Sequence, residues 1–292
     1  MIGQFPIVSF DTSSHNRLLK DGAQSEAIFA GFKSGMFFRF AALSVDEMIA
    51  TKDPGDREAL RASFGRLQHG PADCIYPHNE LVTRMVVAHS KDPAGFDWKT
   101  VDVRARDYEK GIRERDLVAD EKLSLDQRTA QAEAGKVYKE IFARLRSKLE
   151  EVLKVHGEVA PLTFIQAVAR AEGAEPNLVV AIGKDLYDRV AGGDASEATI
   201  KQFIAACPPF RAIVYALLMT WYDVSLADPV KSERFKAGRN DLFMATHLPY
   251  CDKFVTNDAE QERCLREIAA VAGLETEIIS HDAFCDSFLI VA

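Results

Sequence analysis

The sequence predicts an α/β fold in which a parallel sheet with helices on its faces carries a large all-α insertion. Short apolar runs alternate with amphipathic stretches near both ends of the chain, which is typical of strand–helix units in a parallel sheet. Between them, the apolar spacing is that of helices. We therefore expect residues 1–50 and 236–292 to form one α/β domain, and residues 51–235 to form a helical insertion.

The N-terminal region is predicted to contain two strands, each followed by a helix. A β-type run at Ile7–Phe10 predicts the first strand, and the N-cap residues Asp11–Ser14 predict a helix directly after it. A second apolar run, residues 36–43, predicts another strand. Ser44 followed three residues later by Glu47 is a capping-box pattern, so we expect a helix with Glu47 in its first turn.

The rest of the chain is predicted to be helical until strands return near its end. A polar, nearly continuous helical stretch covers residues 104–154, and the apolar run at 210–222 predicts a buried helix, because it is too short to span a bilayer. Further helices are expected at 162–172, 176–190, 196–206, 239–248 and 259–272, and strands at 253–256, 277–280 and 288–291.

Composition and charge narrow the class of protein. The net charge is −8, from 36 basic and 44 acidic residues, which argues against a surface covered with nucleic-acid-binding charge but leaves room for a local basic groove. The five cysteines include no C-x-x-C pair, so we expect free thiols in a reducing compartment, the cytoplasm. The first residues lack the features of a signal peptide, and no membrane association is expected.

Four acidic residues stand beside predicted strand or helix ends. Asp11 and Asp258 follow strands, while Glu47 and Asp241 lie in first helical turns. Each alone reads as a cap or as a complement to a helix dipole. Ligands of open parallel sheets bind outside the carboxyl ends of the strands, so we expect these acids to share one edge. Carboxylates gathered there repel one another unless a cation lies among them, and Mg²⁺ or Mn²⁺ suits oxygen ligands.

The segments around these acids resemble the four acidic motifs of the PIN-domain nucleases. The similarity lies in the order, acid type and strand or helix context of IVSFDT (7–12), SVDE (44–47), ND (240–241) and VTND (255–258). The resemblance covers only the two ends of the chain. Two features depart from the family pattern: Ser13 stands where the family often has Asn, and residues 51–235 are much longer than the corresponding part of a minimal PIN domain.

The resemblance implies a PIN-like three-layer fold and a metal-dependent nuclease acting on nucleic acid, with RNA preferred. It implies that one or two Mg²⁺ or Mn²⁺ ions are held by the catalytic residues Asp11, Glu47, Asp241 and Asp258. Thr256 is expected to orient Asp258 or to contact a phosphate, and Asn257, Ser13 and Asn16 are further candidates for supporting or substrate contacts, with turn chemistry as the alternative for Thr256 and Asn257.

Other readings remain open at the level of sequence. The chain can be a PIN-like binding or scaffold module without catalysis, or another Mg²⁺-dependent phosphoester hydrolase on a similar sheet. The insertion can gate the substrate, recognise it or form a homo-oligomer. The family also suggests a protein antitoxin as a partner, although nothing in this chain argues for one.

Overall fold

The part of the chain that the structure describes contains a sheet of five strands, all parallel. The computed structural model describes residues 5–68, 72–114, 120–133, 136, 162–225 and 239–289. Its strands, in chain order from β1 to β5, are Ile7–Phe10, Phe37–Ala41, Ala72–Ile75, Lys253–Thr256 and Glu277–Ser280. They lie in the order β3-β2-β1-β4-β5, so β1 is central, with β2 on one side and β4 on the other.

Helices cover both faces of this sheet. The first six, α1 to α6, are Thr12–Leu18, Ala23–Ser34, Ala42–Ala50, Pro54–Leu67, His78–Lys91 and Arg106–Arg113, and residues 121–133 form α7. The next four, α8 to α11, are Phe164–Gly173, Leu178–Ala191, Glu197–Ala206 and Pro208–Ser225. The last three, α12 to α14, are Arg239–Phe243, Ala259–Ala272 and His281–Leu289, and two 3₁₀ helices occupy Trp98–Thr100 and Met244–Tyr250.

Two hydrophobic cores lie on opposite sides of the sheet. In β4, Phe254 belongs to one core and the next residue, Val255, to the other, since successive side chains of a strand point to opposite faces. The first core also takes residues from α5, α8 to α11 and α13, and the second takes residues from α1 to α4, α6 and α14. This α/β arrangement is compatible with a three-layer fold.

Most of the predicted elements are found, and several match to the residue. The strands expected at 7–10, 253–256 and 277–280 are confirmed, as is the helix at 259–272. The helices expected between 162 and 222 are also found, within one or two residues at most ends. Part of the polar stretch predicted at 104–154 lies outside the described residues, and its described part contains α6 and α7.

Three predictions about the elements are wrong in whole or in part. Residues 51–235 are not all-α, because β3 comes from this region and pairs in parallel with β2. Ser44 does not cap a helix: the chain passes from β2 directly into α3, whose N-cap is Ala41, so Glu47 lies beyond the first turn. Of the strand predicted at 288–291, residues 288 and 289 belong to α14 instead, and residues 290 and 291 lie outside the described residues.

Among the described residues, no single helix is long and apolar enough to cross a membrane. Helix α10 and the first part of α11 together have the length and the apolar composition of a membrane span, but the two helices meet at a bend of 107°.

Candidate active site

The four acids chosen from the sequence line one pocket at the carboxyl edge of the sheet. From β1 the chain adds β2 and then β3 on one side of the sheet, and it later adds β4 and β5 on the other side of β1. The direction in which strands are added therefore reverses between β1 and β4. Open parallel sheets bind their ligands at such a reversal. The pocket of about 60 Å³ at this point is lined by Asp11, Glu47, Asp241 and Asp258.

Asp11 is the most buried of the four acids. It is 5% exposed and caps α1, with its Oδ1 accepting a hydrogen bond from the main-chain N of Ser14 at 2.8 Å. Its Oδ2 lies 2.6 Å from the Ser13 hydroxyl and 2.9 Å from that of Thr256. Burial raises the pKa of Asp11 above its ordinary value, and these hydrogen bonds oppose the shift. The carboxyl group is thus held in one orientation at a cost in solvation.

Asp258 caps α13 from the rim of the pocket. Its Oδ1 accepts hydrogen bonds from the main-chain N atoms of Glu260 at 2.8 Å and Gln261 at 3.0 Å. The capping role that a strand-end aspartate suggests is therefore present, and it is compatible with a second role because the side chain is exposed at the pocket. A cap of this kind contributes about 1 kcal/mol to stability.

Glu47 and its neighbour Asp46 face different surroundings. Glu47 lines the pocket, and its Oε2 accepts a short hydrogen bond from the Thr12 hydroxyl of α1. Asp46 instead contacts Tyr108 of α6, and burial, with a smaller contribution from the charge of Glu47, raises the pKa of Asp46 to about 6. Residues one position apart on a helix point about 100° apart, so only Glu47 lines the pocket.

Asp241 reaches the pocket from α12, a helix of five residues. Its main-chain O accepts a hydrogen bond from Nε2 of Gln261 at 3.1 Å. So short a helix has little stability of its own. The position of Asp241 therefore depends on its contacts with neighbouring elements, of which Gln261 in α13 is one.

Of the residues expected to support the acids or to contact substrate, Thr256 and Ser13 contact Asp11, whereas Asn257 and Asn16 do not line the pocket. Thr256 is buried, and its hydroxyl contacts Oδ2 of Asp11 and accepts from the main-chain N of Asp258 at 3.0 Å. It therefore serves Asp11 as well as Asp258. The Ser13 hydroxyl accepts from the main-chain N of Asn257 at 2.9 Å, whereas the side chains of Asn257 and Asn16 are exposed and neither residue lines the pocket.

Sequence reasoning missed Gln261, which lines the pocket and is 1% exposed. A local signal for it existed. Asp258 at the N-cap and Gln261 three positions later have the spacing of a capping box, which would have marked Gln261 as a residue that turns back toward the helix start.

The donor set of the pocket fits a hard divalent cation in its chemistry. The lining residues supply carboxylate and hydroxyl oxygens, and none of the described residues lining it is basic. As the side chains stand, no group of three or more His, Cys, Asp or Glu in the described part of the chain is arranged to hold a metal ion. The carboxylates of Asp11, Glu47 and Asp258 accept from protein donors instead. Binding a cation would thus require side-chain rotation.

Comparison of the chain with protein-family models, with curated proteins and with solved structures found no match.

Proposed function

We propose that this protein is a PIN-like, Mg²⁺- or Mn²⁺-dependent nuclease that hydrolyses phosphodiester bonds, with RNA as its substrate. The observation that carries the proposal is the convergence of four acids from distant parts of the sequence on one pocket, at the strand-order reversal. Capping alone accounts for the placement of Asp11 and Asp258. It does not account for Glu47 and Asp241, which lie on other helices and line the same pocket.

The side chains of Asp11, Glu47, Asp241 and Asp258 would hold the cation. When bound there, Mg²⁺ or Mn²⁺ would supply a water of lowered pKa and would offset charge on the phosphate. The residues around it do the positioning: Ser13 and Thr256 orient the carboxylate of Asp11. Four carboxylates without a basic neighbour in the described lining repel a phosphate. The lining residues would therefore disfavour a polyanionic substrate at this pocket unless a cation offset their charge.

Cleavage of labelled single-stranded RNA by the purified protein, with and without Mn²⁺, tests the proposal. We expect cleavage that requires the cation and that falls about 100-fold or more in Asp11→Asn and Asp258→Asn, since even residues that only support a metal ligand cost 10–100-fold. Asp126→Asn, at an exposed position of α7, is the matched control and should retain the parent rate. Cleavage that persists in both pocket variants would indicate a contaminating nuclease, and a parent protein that cleaves neither RNA nor DNA with either cation would refute the proposal.

A second candidate is a PIN-like binding or scaffold module without catalysis. It is favoured by the hydrogen bonds that Asp11, Glu47 and Asp258 accept from protein groups, because carboxylates engaged in this way stabilise helix ends and interhelix contacts without a metal. This candidate predicts nucleic-acid binding that needs no divalent cation and survives Asp11→Asn and Asp258→Asn. Filter binding in EDTA separates the two candidates.

A further inference from the structure

Gln261 carries no charge and contacts two of the four acidic residues of the pocket, Asp241 and Asp258. Its main-chain N donates to Oδ1 of Asp258 at 3.0 Å, and its Nε2 donates to the main-chain O of Asp241 at 3.1 Å. Its Oε1 lies 2.6 Å from the hydroxyl oxygen of Thr256, which in turn lies 2.9 Å from Oδ2 of Asp11. One buried amide therefore connects elements that carry three of the four acids.

The orientation of the amide follows from its two partners. The main-chain O of Asp241 only accepts hydrogen bonds, so the nitrogen of Gln261 must face it and the oxygen must face Thr256. Oε1 of Gln261 is then an acceptor for the Thr256 hydroxyl. Leucine or methionine at position 261 would offer neither the donor nor the acceptor.

The Thr256 hydroxyl has one hydrogen and two acceptors within reach. It already accepts from the main-chain N of Asp258, and it can donate either to Oδ2 of Asp11 or to Oε1 of Gln261. If Asp11 turned toward a cation in a chain lacking Gln261, this buried hydroxyl would lose an acceptor, and an unsatisfied buried group costs about 1–3 kcal/mol. With Gln261 present, the hydrogen turns to Oε1 and this cost is avoided.

We propose that Gln261 is a positioning residue for cation uptake. Its Nε2 anchors the main chain of Asp241 to α13. Its Oε1 accepts the hydrogen bond of the Thr256 hydroxyl when the Asp11 carboxylate turns to the cation. The inference rests on the metal-dependent function proposed above. It adds a role for a residue that does not itself need to touch the cation, the substrate or the reacting atoms.

Mn²⁺ binding, measured on the full chain by calorimetry and by the electron paramagnetic resonance spectrum of the ion, tests this role independently of activity. Gln261→Met removes the amide with little change in volume, and we expect it to raise the Kd for Mn²⁺ by roughly 10–100-fold. Gln202→Met, at an exposed position of α10, is the matched control and should keep the parent Kd. A Gln261→Met protein that binds Mn²⁺ as tightly as the parent would overturn the inference.

A second pair of variants tests the contact between Gln261 and Thr256. Thr256→Val removes the hydroxyl and should weaken Mn²⁺ binding, while Thr256→Ser keeps the hydroxyl and should stay near the parent Kd. The double variant Thr256→Val with Gln261→Met should cost less than the sum of the single effects on binding free energy, because both changes remove the same contact. Additive effects, or a Thr256→Val protein with the parent Kd, would contradict the proposed coupling.

The two proposals fail in distinguishable ways. A parent protein that binds no Mn²⁺ refutes the metal-dependent function, and this inference with it. A parent that binds Mn²⁺ and loses it in Asp11→Asn, but not in Gln261→Met, supports the function and refutes only the role of Gln261. If Gln261→Met is unfolded at the assay temperature, as judged by circular dichroism, a Thr256→Val protein that keeps the parent Kd still overturns the inference, because the proposed role acts through the Thr256 hydroxyl.

Discussion

Replacing Asp11 by asparagine should make the cation-free protein more stable at neutral pH while removing cation binding. The folded state keeps Asp11 buried, and burial raises its pKa, so the ionised carboxylate is less favourable in the folded chain than in the unfolded chain. Each pKa unit corresponds to about 1.4 kcal/mol. The neutral amide avoids this cost, and asparagine is as good an N-cap as aspartate, so its Oδ1 can still accept from the main-chain N of Ser14.

The sign of the pH dependence follows from the same shift. A carboxyl group with a raised pKa in the folded state stabilises the fold most when it is protonated, and that stability is lost as the pH rises through the folded-state pKa. The stability of Asp11→Asn relative to the parent should therefore increase as the pH rises from 3 to 7. This increase should level off once Asp11 is ionised in the folded parent.

Thermal unfolding in EDTA and in Mn²⁺ measures both halves of this prediction. In EDTA at pH 7 the variant should unfold at a higher temperature, by about 2–4 °C for each kcal/mol in a chain of this size. In Mn²⁺ at about 100 times its Kd, the free energy of unfolding of the parent should rise by about 2.7 kcal/mol, and that of the variant should not change. A variant that is less stable than the parent in EDTA at pH 7 would refute the reasoning about burial, and a parent that gains nothing from Mn²⁺ would refute the metal site.

Substitutions at three positions have further expected outcomes that urea unfolding can check. Asp258→Ala should lower the free energy of unfolding by about 1 kcal/mol because it removes two capping hydrogen bonds, whereas Asp258→Ser should restore most of it; equal losses would contradict the capping role. Asp46→Asn should stabilise the protein by on the order of 2 kcal/mol at pH 8 and by little at pH 4. Burial raises the pKa of Asp46 to about 6, so above pH 6 the folded protein carries an unfavourable buried charge that asparagine lacks. A stabilisation that does not change with pH would argue against this cause. Arg39→Met should cost about 2 kcal/mol by removing the paired contacts with Asp73 at 2.7 and 2.8 Å and the contact with the main-chain O of Tyr250; an unchanged stability would show that these contacts contribute little.

The segment from β4 to the end of α13 was predictable because each of its boundaries has a local cause. Phe254 and Val255 fill the two cores, Asp258 caps the helix, and Gly273 ends it in a left-handed conformation at φ 60°. These signals agree with one another over a short stretch of chain. The agreement explains why the strand and the helix were both predicted to the residue.

Strand β3 was missed because its stability comes from outside its own sequence. It has four residues, and among them Asp73 would count against a buried strand. In the fold, Asp73 pairs with Arg39 of β2, and Arg39 is directly opposite in the register. A pattern search along the chain does not see a partner on a neighbouring strand.

The sequence predicted that the four acids would share one edge of the sheet, but it did not predict the hydrogen bonds around them. The four acids do line one pocket, yet the capping box expected at Ser44 is wrong because Ser44 is buried inside α3. Gln261 was missed because its contacts to Asp241 and Thr256 exist only once α12, β4 and α13 are packed together. Residue types at strand ends indicate where a pocket forms, whereas the hydrogen bonds inside it depend on tertiary packing.

The central position of β1 has a consequence for synthesis on the ribosome. One edge of β1 pairs with β2, which is made soon after it, but the other edge pairs with β4, which is made only after residue 252. Until then the emerging chain has an open strand edge in the middle of its future sheet, and such edges pair readily with other chains. Nascent chains arrested before β4 should therefore need chaperones to avoid aggregation, and they cannot complete the acidic pocket.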